Sequence, residues 1–507
     1  MKKLIAMLAV VFAVALIPTV FVGCGKKETK GAAKEYTITF NYMGKADNEE
    51  VVVEKGGKVK KPAVKVLEGL EVSGWYTDET LTTAYKFSDE VTANTTLYAK
   101  WTDPYTYTEV EGGYAINGYK GSAKEAILPS THNSQPVVEI QSCYNESYTD
   151  YVSIFYNKNV AKVTLPNTLK VIGEGAFYSA EKIAAIIIPA SVTEICEYAF
   201  NYCRNLQAVV FEENSQLTTI NNSAFENCIK LSNINLPNNL LSIGSYAFSN
   251  TAITQITIPE GIKTISCALF INCAELQNIM LPEGIEKIEA FAFNGCQKLK
   301  SITIPASVTT IEGFWHYEGN GGSGNSMFGG CAALTSVAVA PGNTVYDSRE
   351  NCNAIIETST NKLIAGCNTS TIPNGVETIC YGAFECCDEL TQIEFPNTLT
   401  TIEAGVFSSC NGLSYVMISE TITAIASDAF SSCYNLQTVL LNSNSIYNQL
   451  DSEFNPFTYS HPQQVTIYVP KTFVEENVNE YLENNFTKQD GTGEYENYYA
   501  YTSRNEA

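Results

Sequence analysis

The sequence has very few of the side chains from which catalytic and metal sites are built. Among 507 residues there are only three histidines, and charged residues make up 17% of the chain. These histidines, His132, His316 and His461, lie far apart in segments that predict loops. No zinc signature, nucleophile elbow or ordered Ser, His and Asp set accompanies them. The inventory therefore argues against an enzyme, and it indicates no catalytic residue, no metal site and no cofactor.

Basic residues are also scarce. The chain has 31 lysines and arginines against 54 acidic residues, so its formal net charge is −23. Proteins that bind nucleic acid neutralise phosphates with clustered Lys and Arg side chains. An anionic lipid surface would likewise be repelled by a strongly acidic chain. The composition therefore argues against nucleic acid and anionic membrane surfaces as direct partners.

What the sequence has in abundance is a repeat. Between residues 163 and 437 one phrase returns with a period of about 23 residues, which lies in the leucine-rich-repeat range. Each copy reads apolar-x-apolar-Pro, then apolar-x-x-Ile, then a small residue and Phe, with Cys three residues later in most copies. Clear copies begin at Ile186, Ile256 and Ile279. Such self-similarity predicts a mainly β solenoid, in which neighbouring coils stack to bury a core that one coil cannot cover.

The repeated phenylalanines predict a buried column through this solenoid. In a strand such as Ser301–Ile304, Ile302 and Ile304 share one face and Thr303 takes the other. Stacking of coils brings equivalent residues into contact. The predicted structural spine is Phe200, Phe225, Phe248, Phe270, Phe293, Phe384, Phe407 and Phe430, with Phe177 and Phe328 at equivalent positions.

Half of the sixteen cysteines recur at one position of the repeat, namely Cys203, Cys228, Cys273, Cys296, Cys331, Cys387, Cys410 and Cys433. Export would favour disulfides. Recurrence once per coil instead favours a column of buried, unbridged thiols, which behave as small apolar side chains. Occasional disulfides stay open as an alternative. Metal binding is disfavoured because no Cys-x-x-Cys motif or paired histidine is present.

Phrases such as Leu236-Pro237 followed by Ile243-Gly244-Ser245-Tyr246-Ala247-Phe248, together with the Phe-x-x-Cys endings, carry a family resemblance. From residue 107 to 470 the chain resembles the BspA-like leucine-rich-repeat family of bacterial surface proteins. The resemblance implies surface display and binding to proteins or glycans. It does not imply catalysis.

The N terminus reads as a targeting segment. Lys2 and Lys3 precede an apolar run from Leu4 to Val22, which predicts a secretory signal peptide over residues 1–23. The run is also long enough to span a bilayer, so a retained anchor helix is the competing interpretation. Gly23-Cys24 is similar to a bacterial lipobox, which implies lipidation of Cys24, membrane attachment through that lipid and exposure at the cell surface. Residues 24–34 then predict a polar tether.

Residues 35–102 predict a separate small module. Its strand-like alternation at Tyr36–Phe40 is followed by the phrases Gly74-Trp75-Tyr76-Thr77-Asp78 and Thr95-Thr96-Leu97-Tyr98-Ala99-Lys100-Trp101. These two phrases are similar to the internalin-type B-repeat, which implies a β-rich, ubiquitin-like (β-grasp) fold. Trp75 and Trp101 are expected in its core, since a small domain needs large aromatic side chains inside. Carbohydrate stacking is the alternative role.

The remaining segments interrupt or close the array. The solenoid is predicted over residues 103–470, with a degenerate N-terminal coil at 103–162 because terminal repeats cap the core. Insertions are predicted at 312–326 and at 344–371, the second as a hairpin-like coil. Residues 471–507 are predicted to form a cap and tail, with a short helix from Lys471 to Phe486 and fraying from Thr487 onward.

The outward strand position is the most informative surface row. Only Glu394 is charged in the row Thr164, Ile187, Val210, Asn235, Thr257, Met280, Thr303, Ala338, Glu394, Met417 and Leu440. A long face with few charges and several exposed apolar residues suggests an interaction surface. Strand packing alone also favours Thr, Val and Ile there. The candidate binding face comprises Ile187, Val210, Asn235, Thr257, Met280, Thr303 and Met417.

These observations favour a non-catalytic surface lipoprotein that binds host or neighbouring-cell proteins or glycans through its solenoid. A structural or self-associating envelope scaffold and a polysaccharide-capture lipoprotein are the alternatives. Neither the ligand nor the oligomeric state follows from the sequence.

Overall fold

The chain is mostly β, with few helices. The computed structural model describes residues 34–142, 152–312, 327–451, 456–457 and 465–503. The predicted signal peptide, Cys24, the histidines at 316 and 461 and nearly all of the 312–326 insertion lie outside these residues. The described chain divides into two compact units, one of residues up to Pro62 with Gly74–Lys100, and the other of Ala63–Ser73 with Trp101 onward.

A five-stranded sheet forms the N-terminal module, in the order β2-β1-β5-β4-β3. Strand β1 pairs antiparallel with β2 and parallel with β5. Trp75 is buried and packs edge-to-face on Phe40, with ring centroids 4.7 Å apart. Trp75 therefore lies in the core, as predicted. The strands are β1 (Glu35–Asn41), β2 (Glu49–Glu54), β3 (Val66–Leu67), β4 (Leu70–Tyr76) and β5 (Thr95–Thr102).

Most repeats contribute one long strand, one short strand and a turn, whereas residues 391–396, at the long-strand position of their coil, form no strand. Within each sheet, neighbouring long strands pair in parallel and in register, as Ile186 does with Val209, and so do neighbouring short strands, as Ile195 does with Ile220. The long strands are β11 (Lys162–Thr164), β13 (Ala185–Ile188), β15 (Ala208–Phe211), β17 (Asn233–Ile234), β19 (Gln255–Thr257), β21 (Asn278–Met280), β23 (Ser301–Ile304), β25 (Ser336–Val339), β31 (Tyr415–Ile418) and β33 (Thr438–Leu441). The short strands are β12 (Val171–Ile172), β14 (Glu194–Ile195), β16 (Thr219–Ile220), β18 (Ser242–Ile243), β20 (Thr264–Ile265), β22 (Lys287–Ile288), β24 (Thr310–Ile311), β29 (Thr378–Ile379), β30 (Thr401–Ile402) and β32 (Ala424–Ile425).

The long strands do not form one continuous sheet. They fall into separate groups ordered β13-β15-β17, β19-β21, β23-β25 and β31-β33-β34-β36-β35. At the start of the array, β10 pairs in parallel with both β7 and β12, so residues before the first clear repeat already join the short-strand side. The N-terminal strands of the array are β6 (Tyr105–Val110), β7 (Gly113–Tyr119), β8 (Glu125–Ile127), β9 (Thr131–His132) and β10 (Gln135–Ile140).

The turn of each repeat carries the phenylalanine column. The eight predicted spine residues are at most 1% exposed. From Phe177 to Phe328 the rings stack at centroid distances of 4.9 to 6.1 Å. The backbone is tied coil to coil as well, since the Phe200 amide donates to the Ala224 carbonyl at 2.8 Å and the Phe225 amide to Ala247 at 2.9 Å. Ring stacking therefore joins the coils from Phe177 to Phe328 and again from Phe384 to Phe430, and backbone hydrogen bonds add to it in both stretches.

The cysteines form a second column beside the rings. The Cys203 thiol donates to the Phe177 carbonyl of the preceding coil at 3.0 Å, and Cys410 does the same to Phe384 at 3.0 Å. Burial raises the pKa of Cys203 and of Cys433 to about 12, because the thiolate would lose its hydration. The described cysteines are unbridged. This agrees with the prediction of buried free thiols.

A hairpin interrupts the column between Phe328 and Phe384. Strand β27 pairs antiparallel with β28, as predicted for the 344–371 insertion, and β28 then pairs in parallel with β29. In other coils the amide of the column Phe makes the backbone hydrogen bond to the next coil. Here the Gly366 amide makes it, donating to the Ala383 carbonyl at 2.8 Å. A Cβ on Gly366 would lie 2.3 Å from the Phe384 ring, so only glycine fits. The strands are β26 (Tyr346–Asp347), β27 (Ile355–Glu357) and β28 (Lys362–Ala365), and a 3₁₀ turn spans Arg349–Asn351.

This hairpin separates two hydrophobic cores. Ile355 and Ile356 are fully buried but belong to different clusters, the first reaching back to Tyr105 and the second forward to Tyr501. A strand buried on both faces has a continuous apolar run rather than an alternating one. The apolar pair Ile355-Ile356 is therefore part of a partition between the cores.

The C-terminal end is more ordered than predicted. The prediction of one helix is wrong: Asn477 is extended, and the Asn479 side chain caps a second helix by accepting from the Leu482 amide at 3.0 Å. Fraying from Thr487 is also wrong, because β36 pairs with β34 and buries Tyr501 completely. The elements are α1 (Asn444–Tyr447), β34 (Thr466–Pro470), α2 (Lys471–Glu476), α3 (Glu480–Asn485), β35 (Phe486–Asp490), a 3₁₀ turn at Gly493–Tyr495 and β36 (Tyr498–Ser503).

Candidate binding face

The residues predicted for a binding face lie on the outer side of the long strands. The strand register sets Ile187 opposite Val210, and Thr257 opposite Met280. Met280 is 69% exposed and Ile187 45%. The others are exposed as well, apart from half-buried Val210: Asn235, Thr257, Thr303 and Met417. The alternation of strands therefore directs the whole set outward.

One break in the long-strand side gathers three of these residues. Strands β17 and β19 belong to different sheets, and a groove of about 600 Å³ opens on this side of the array. Asn235, Thr257 and Met280 line it together. Ile187, Val210, Thr303 and Met417 do not line this groove. The structure thus brings together a subset of the predicted face.

The groove offers apolar contact and neutral hydrogen-bonding groups. Its lining adds residues outside the predicted binding face: Ile234, Leu236, Asn238, Gln255, Ile256, Pro259, Asn278 and Ile279. None of its lining residues is charged. Amides and hydroxyls can both donate and accept, so this lining suits main-chain peptide groups or sugar hydroxyls equally. The sequence signal for this groove is the pair of amide residues Gln255 and Asn278, each two positions before an outward residue of the predicted face.

A second cavity lies on the short-strand side. It measures about 790 Å³ and is lined by the residues Ile311, Lys362, Ile364, Cys380, Tyr381, Thr401, Ile402, Glu403, Ala404, Ala424, Ile425, Ala426 and Gln449. It contains none of the predicted binding residues. Burial, and after it the nearby carboxylate of Glu403, raises the pKa of Cys380 to about 12, which keeps this thiol protonated and unreactive at neutral pH.

Leu440 is a correction to the predicted outward row. It pairs with Met417 but is only 9% exposed. Tyr468 lies opposite Leu440 on the next strand, and its ring stacks on Tyr495 at 4.2 Å. The C-terminal segment therefore continues the sheet and covers the row at this end, which the expectation of a fraying tail overlooked.

The histidine prediction also needs one correction. His132 lies in the short strand β9 rather than in a loop, and its ring stacks on Tyr107 at a centroid distance of 3.7 Å. Within the described residues, no group of three or more His, Cys, Asp or Glu side chains is arranged to hold a metal ion. No helix in the described ranges is long and apolar enough to cross a membrane.

Repeated coils of one long strand, one short strand and a Phe-bearing turn define a leucine-rich-repeat protein. Comparison with protein families agrees: six copies of the BspA type leucine rich repeat region match residues 151–273, 213–319 and 355–481. The chain therefore belongs to the family of BspA-type leucine-rich-repeat proteins. Residues 36–100 match the Listeria-Bacteroides repeat domain.

Curated relatives match a short part of the chain. A protein of Evansella cellulosilytica described as a Gly-rich membrane protein is 41% identical over 73 residues, which is 14% of this chain and 8% of that protein. Another, described as a membrane protein of the same organism, is 40% identical over 73 residues and is covered over 11% of its length. The chain thus spans about a tenth of these relatives.

Solved structures with similarity include two bacterial surface or repeat proteins. A leucine rich cell surface protein from Faecalibacterium prausnitzii is 23% identical, with 74% of this chain and 96% of that chain covered and a TM-score of 0.49. A leucine-rich repeat protein from Bacteroides ovatus is 22% identical, with 72% and 98% covered and a TM-score of 0.41.

Proposed function

We propose that this protein is a non-catalytic, lipid-anchored protein of the bacterial cell surface that binds host or neighbouring-cell proteins or glycans. Its signal segment directs export, and Cys24 carries the lipid. The stacked coils form one solenoid, and the N-terminal module has a β-grasp fold. Membership in the BspA-type repeat family supports surface display. The mixed parallel and antiparallel sheet of the module supports the β-grasp assignment.

The observation that carries this proposal is the outward long-strand face. It presents uncharged groups and exposed apolar side chains, with Met280 69% and Ile187 45% exposed. The groove beside Met280 adds amides that can bind polar groups of a ligand. A concave site with an apolar lining and a few polar groups is the usual form of a recognition site.

Binding of the chain from residue 25 onward to an array of glycans and extracellular-matrix proteins tests the proposal. The key variant changes Ile187, Val210, Met280 and Met417 to Glu. A ligand that covers this face would bury the four introduced carboxylates. Its binding should therefore weaken, because charges are costly to desolvate. A ligand bound by the native chain and lost in the variant supports the proposal.

A matched control carries the same added charge on the short-strand side, with Ser242, Thr310, Thr423 and Ala424 changed to Glu. These residues are exposed. Loss of the ligand in the control alone would move the site to the short-strand cavity. No ligand at all, together with a mass that rises with concentration, would favour a self-associating envelope scaffold instead.

A further inference from the structure

The outward face of the last coils differs from the rest of the array by its tyrosines. Val416 is buried, so its strand neighbour Tyr415 points outward. The register of β31, β33 and β34 sets Met417, Leu440 and Tyr468 side by side on the same face. Strand β36 adds Tyr498, which lies opposite Pro470. Three partly exposed tyrosines thus share one face of this sheet.

A fourth tyrosine is placed over this face by the connection between β35 and β36. The 3₁₀ turn Gly493–Tyr495 lays the Tyr495 ring on Tyr468, with centroids 4.2 Å apart and planes 27° apart. Tyr498 meets Tyr495 edge-on at 6.2 Å. The Tyr498 hydroxyl donates to the Asn442 side-chain oxygen at 3.1 Å. The name tyrosine platform is used below for Tyr415, Tyr468, Tyr495 and Tyr498.

The connection that carries Tyr495 is closely built. The Gly491 amide donates to the Tyr498 carbonyl at 2.9 Å. A Cβ on Gly491 would lie 1.9 Å from the Tyr495 carbonyl oxygen, so this turn can form only because residue 491 has no side chain. The backbone of this turn is therefore closely packed, and the contacts of the Tyr495 ring with Tyr468 and Tyr498 order the ring before a ligand binds, which lowers the entropy cost of binding.

A cap that served packing alone would bury its aromatic rings. Leu440, beneath this region, is already only 9% exposed, whereas all four platform tyrosines remain partly exposed. Burial and the neighbouring Glu494 carboxylate raise the pKa of Tyr415. Burial, and then a hydrogen bond with Glu494, raises the pKa of Tyr495 to about 12. The phenols of Tyr415 and Tyr495 therefore stay protonated across the physiological pH range, and a protonated phenol can donate a hydrogen bond.

We propose that the tyrosine platform is a carbohydrate-binding site for neutral, β-linked oligosaccharides. The C–H-bearing face of a pyranose ring is apolar and slightly positive, and it packs on the electron-rich face of an aromatic ring. The phenols and the Asn442 amide supply donors and acceptors for the sugar hydroxyls. Equatorial β-linkages keep successive rings flat enough to lie along a sheet face.

The charge at the platform selects among sugars. Glu494 and Glu496 flank the Tyr495 turn, and the whole chain carries a net charge of −23. Uronic acids and sulfated sugars would therefore be repelled. Neutral glucose and N-acetylglucosamine chains meet no such barrier. The tyrosine platform is distinct from the Met280 groove. It rests on the proposed surface-binding function and assigns one ligand class, neutral oligosaccharides, to a second site on the molecule.

Isothermal titration calorimetry with cellohexaose and chitohexaose tests this site on the chain from residue 25 onward, with hexagalacturonate as the anionic comparison. Binding of at least one neutral oligosaccharide is expected, and none of hexagalacturonate. Tyr495→Ala should weaken the neutral sugar by about tenfold, the effect of losing one good aromatic contact. Tyr495→Phe, which keeps the ring, should lose much less.

Tyr434→Ala is the matched control, because Tyr434 is a 56% exposed tyrosine of the neighbouring turn side. It should bind as the native chain does. An unchanged melting temperature for Tyr495→Ala shows that the fold is intact. Absence of binding to both neutral oligosaccharides, or equal binding by Tyr495→Ala and the native chain, overturns the proposal.

A variant with only Ile187, Val210 and Met280 changed to Glu separates this proposal from the previous one. It leaves the tyrosine platform untouched, so oligosaccharide binding should persist while a groove ligand is lost. Loss of the oligosaccharide in this variant, with Tyr495→Ala unaffected, would place the sugar in the groove and overturn the platform.

Discussion

The turn side and the long-strand side of the same coils follow opposite rules. On the turn side the same Phe and Cys return, and on either side of the hairpin the rings stack and backbone hydrogen bonds join neighbouring coils. On the long-strand side the outward residues vary and the strands separate into several sheets. The interactions that stabilise the array are thus concentrated where the sequence repeats. The outward residues of the long strands, which make up the candidate binding face, differ from coil to coil.

The difference has a physical cause. A buried ring must match the rings above and below it, since interiors are close-packed and a lost methylene is felt. An outward side chain on the long strands has solvent above it, so only its strand propensity is constrained. Variation on the long-strand side therefore costs little stability, and the three predictions below test this contrast from the largest effect to the smallest.

The largest effect is expected from Phe270→Ala. Phe270 is fully buried between Phe248 and Phe293, so its truncation leaves a cavity in the middle of the column. A loss of about 3–5 kcal/mol in the free energy of unfolding is expected. Urea denaturation followed by circular dichroism measures it. An unchanged urea midpoint would show that the phenylalanine column does not stabilise the fold.

An intermediate effect is expected from pH. The pKa of Cys203 rises from 9.0 to about 12 on folding. The folded state therefore keeps a proton that the unfolded chain releases above pH 9. This contribution to stability is complete below pH 9 and is lost as pH rises toward 12, at about 1.4 kcal/mol per pH unit for one thiol.

Cys203→Ser isolates that contribution, because a serine hydroxyl does not titrate in this range. Thr251 shows that a hydroxyl is tolerated at the equivalent position of another coil, since it follows Phe248 by three residues and donates to the Phe248 carbonyl at 2.9 Å. Between pH 9 and 10 the free energy of unfolding should fall less steeply for Cys203→Ser than for the native chain. Parallel slopes would contradict the assigned burial.

The smallest effect is expected from Met280→Glu. This side chain is 69% exposed, and surface substitutions of this kind usually change stability by less than about 0.5 kcal/mol. The same urea measurement as for Phe270→Ala gives a direct comparison within neighbouring coils. A loss of several kcal/mol would show that the long-strand side is as constrained as the turn side.

Much of the fold could be predicted because each position of the repeat occurs in many copies of the same motif. Ten phenylalanines recur at 22 to 25 residues, except across Phe293 to Phe328 and Phe328 to Phe384, and this spacing establishes their common position, as it does for the cysteines. Outward and inward residues followed from alternation, as at Ile302 and Thr303. The hairpin at 344–371 was also visible, because two apolar runs flank a polar turn.

What could not be predicted depends on contacts between distant residues. The sheet break beside Asn235, and hence the groove, is set by how neighbouring coils fit. Gly366 replaces a Phe because the hairpin backbone passes close to Phe384. The sequence from Thr487 onward is typical of a fraying end. In the structure, however, Tyr501 is buried against the last long strands. Local patterns do not contain such information.

The partition at β27 and β28 has a consequence for how the molecule loses its structure. In a repeat array each coil is stabilised by its neighbours, and cooperativity passes only as far as those interfaces are strong. Here two cores meet across a hairpin rather than across a stacked Phe pair. We therefore expect the two halves to unfold in separate steps, which calorimetry would show as two transitions.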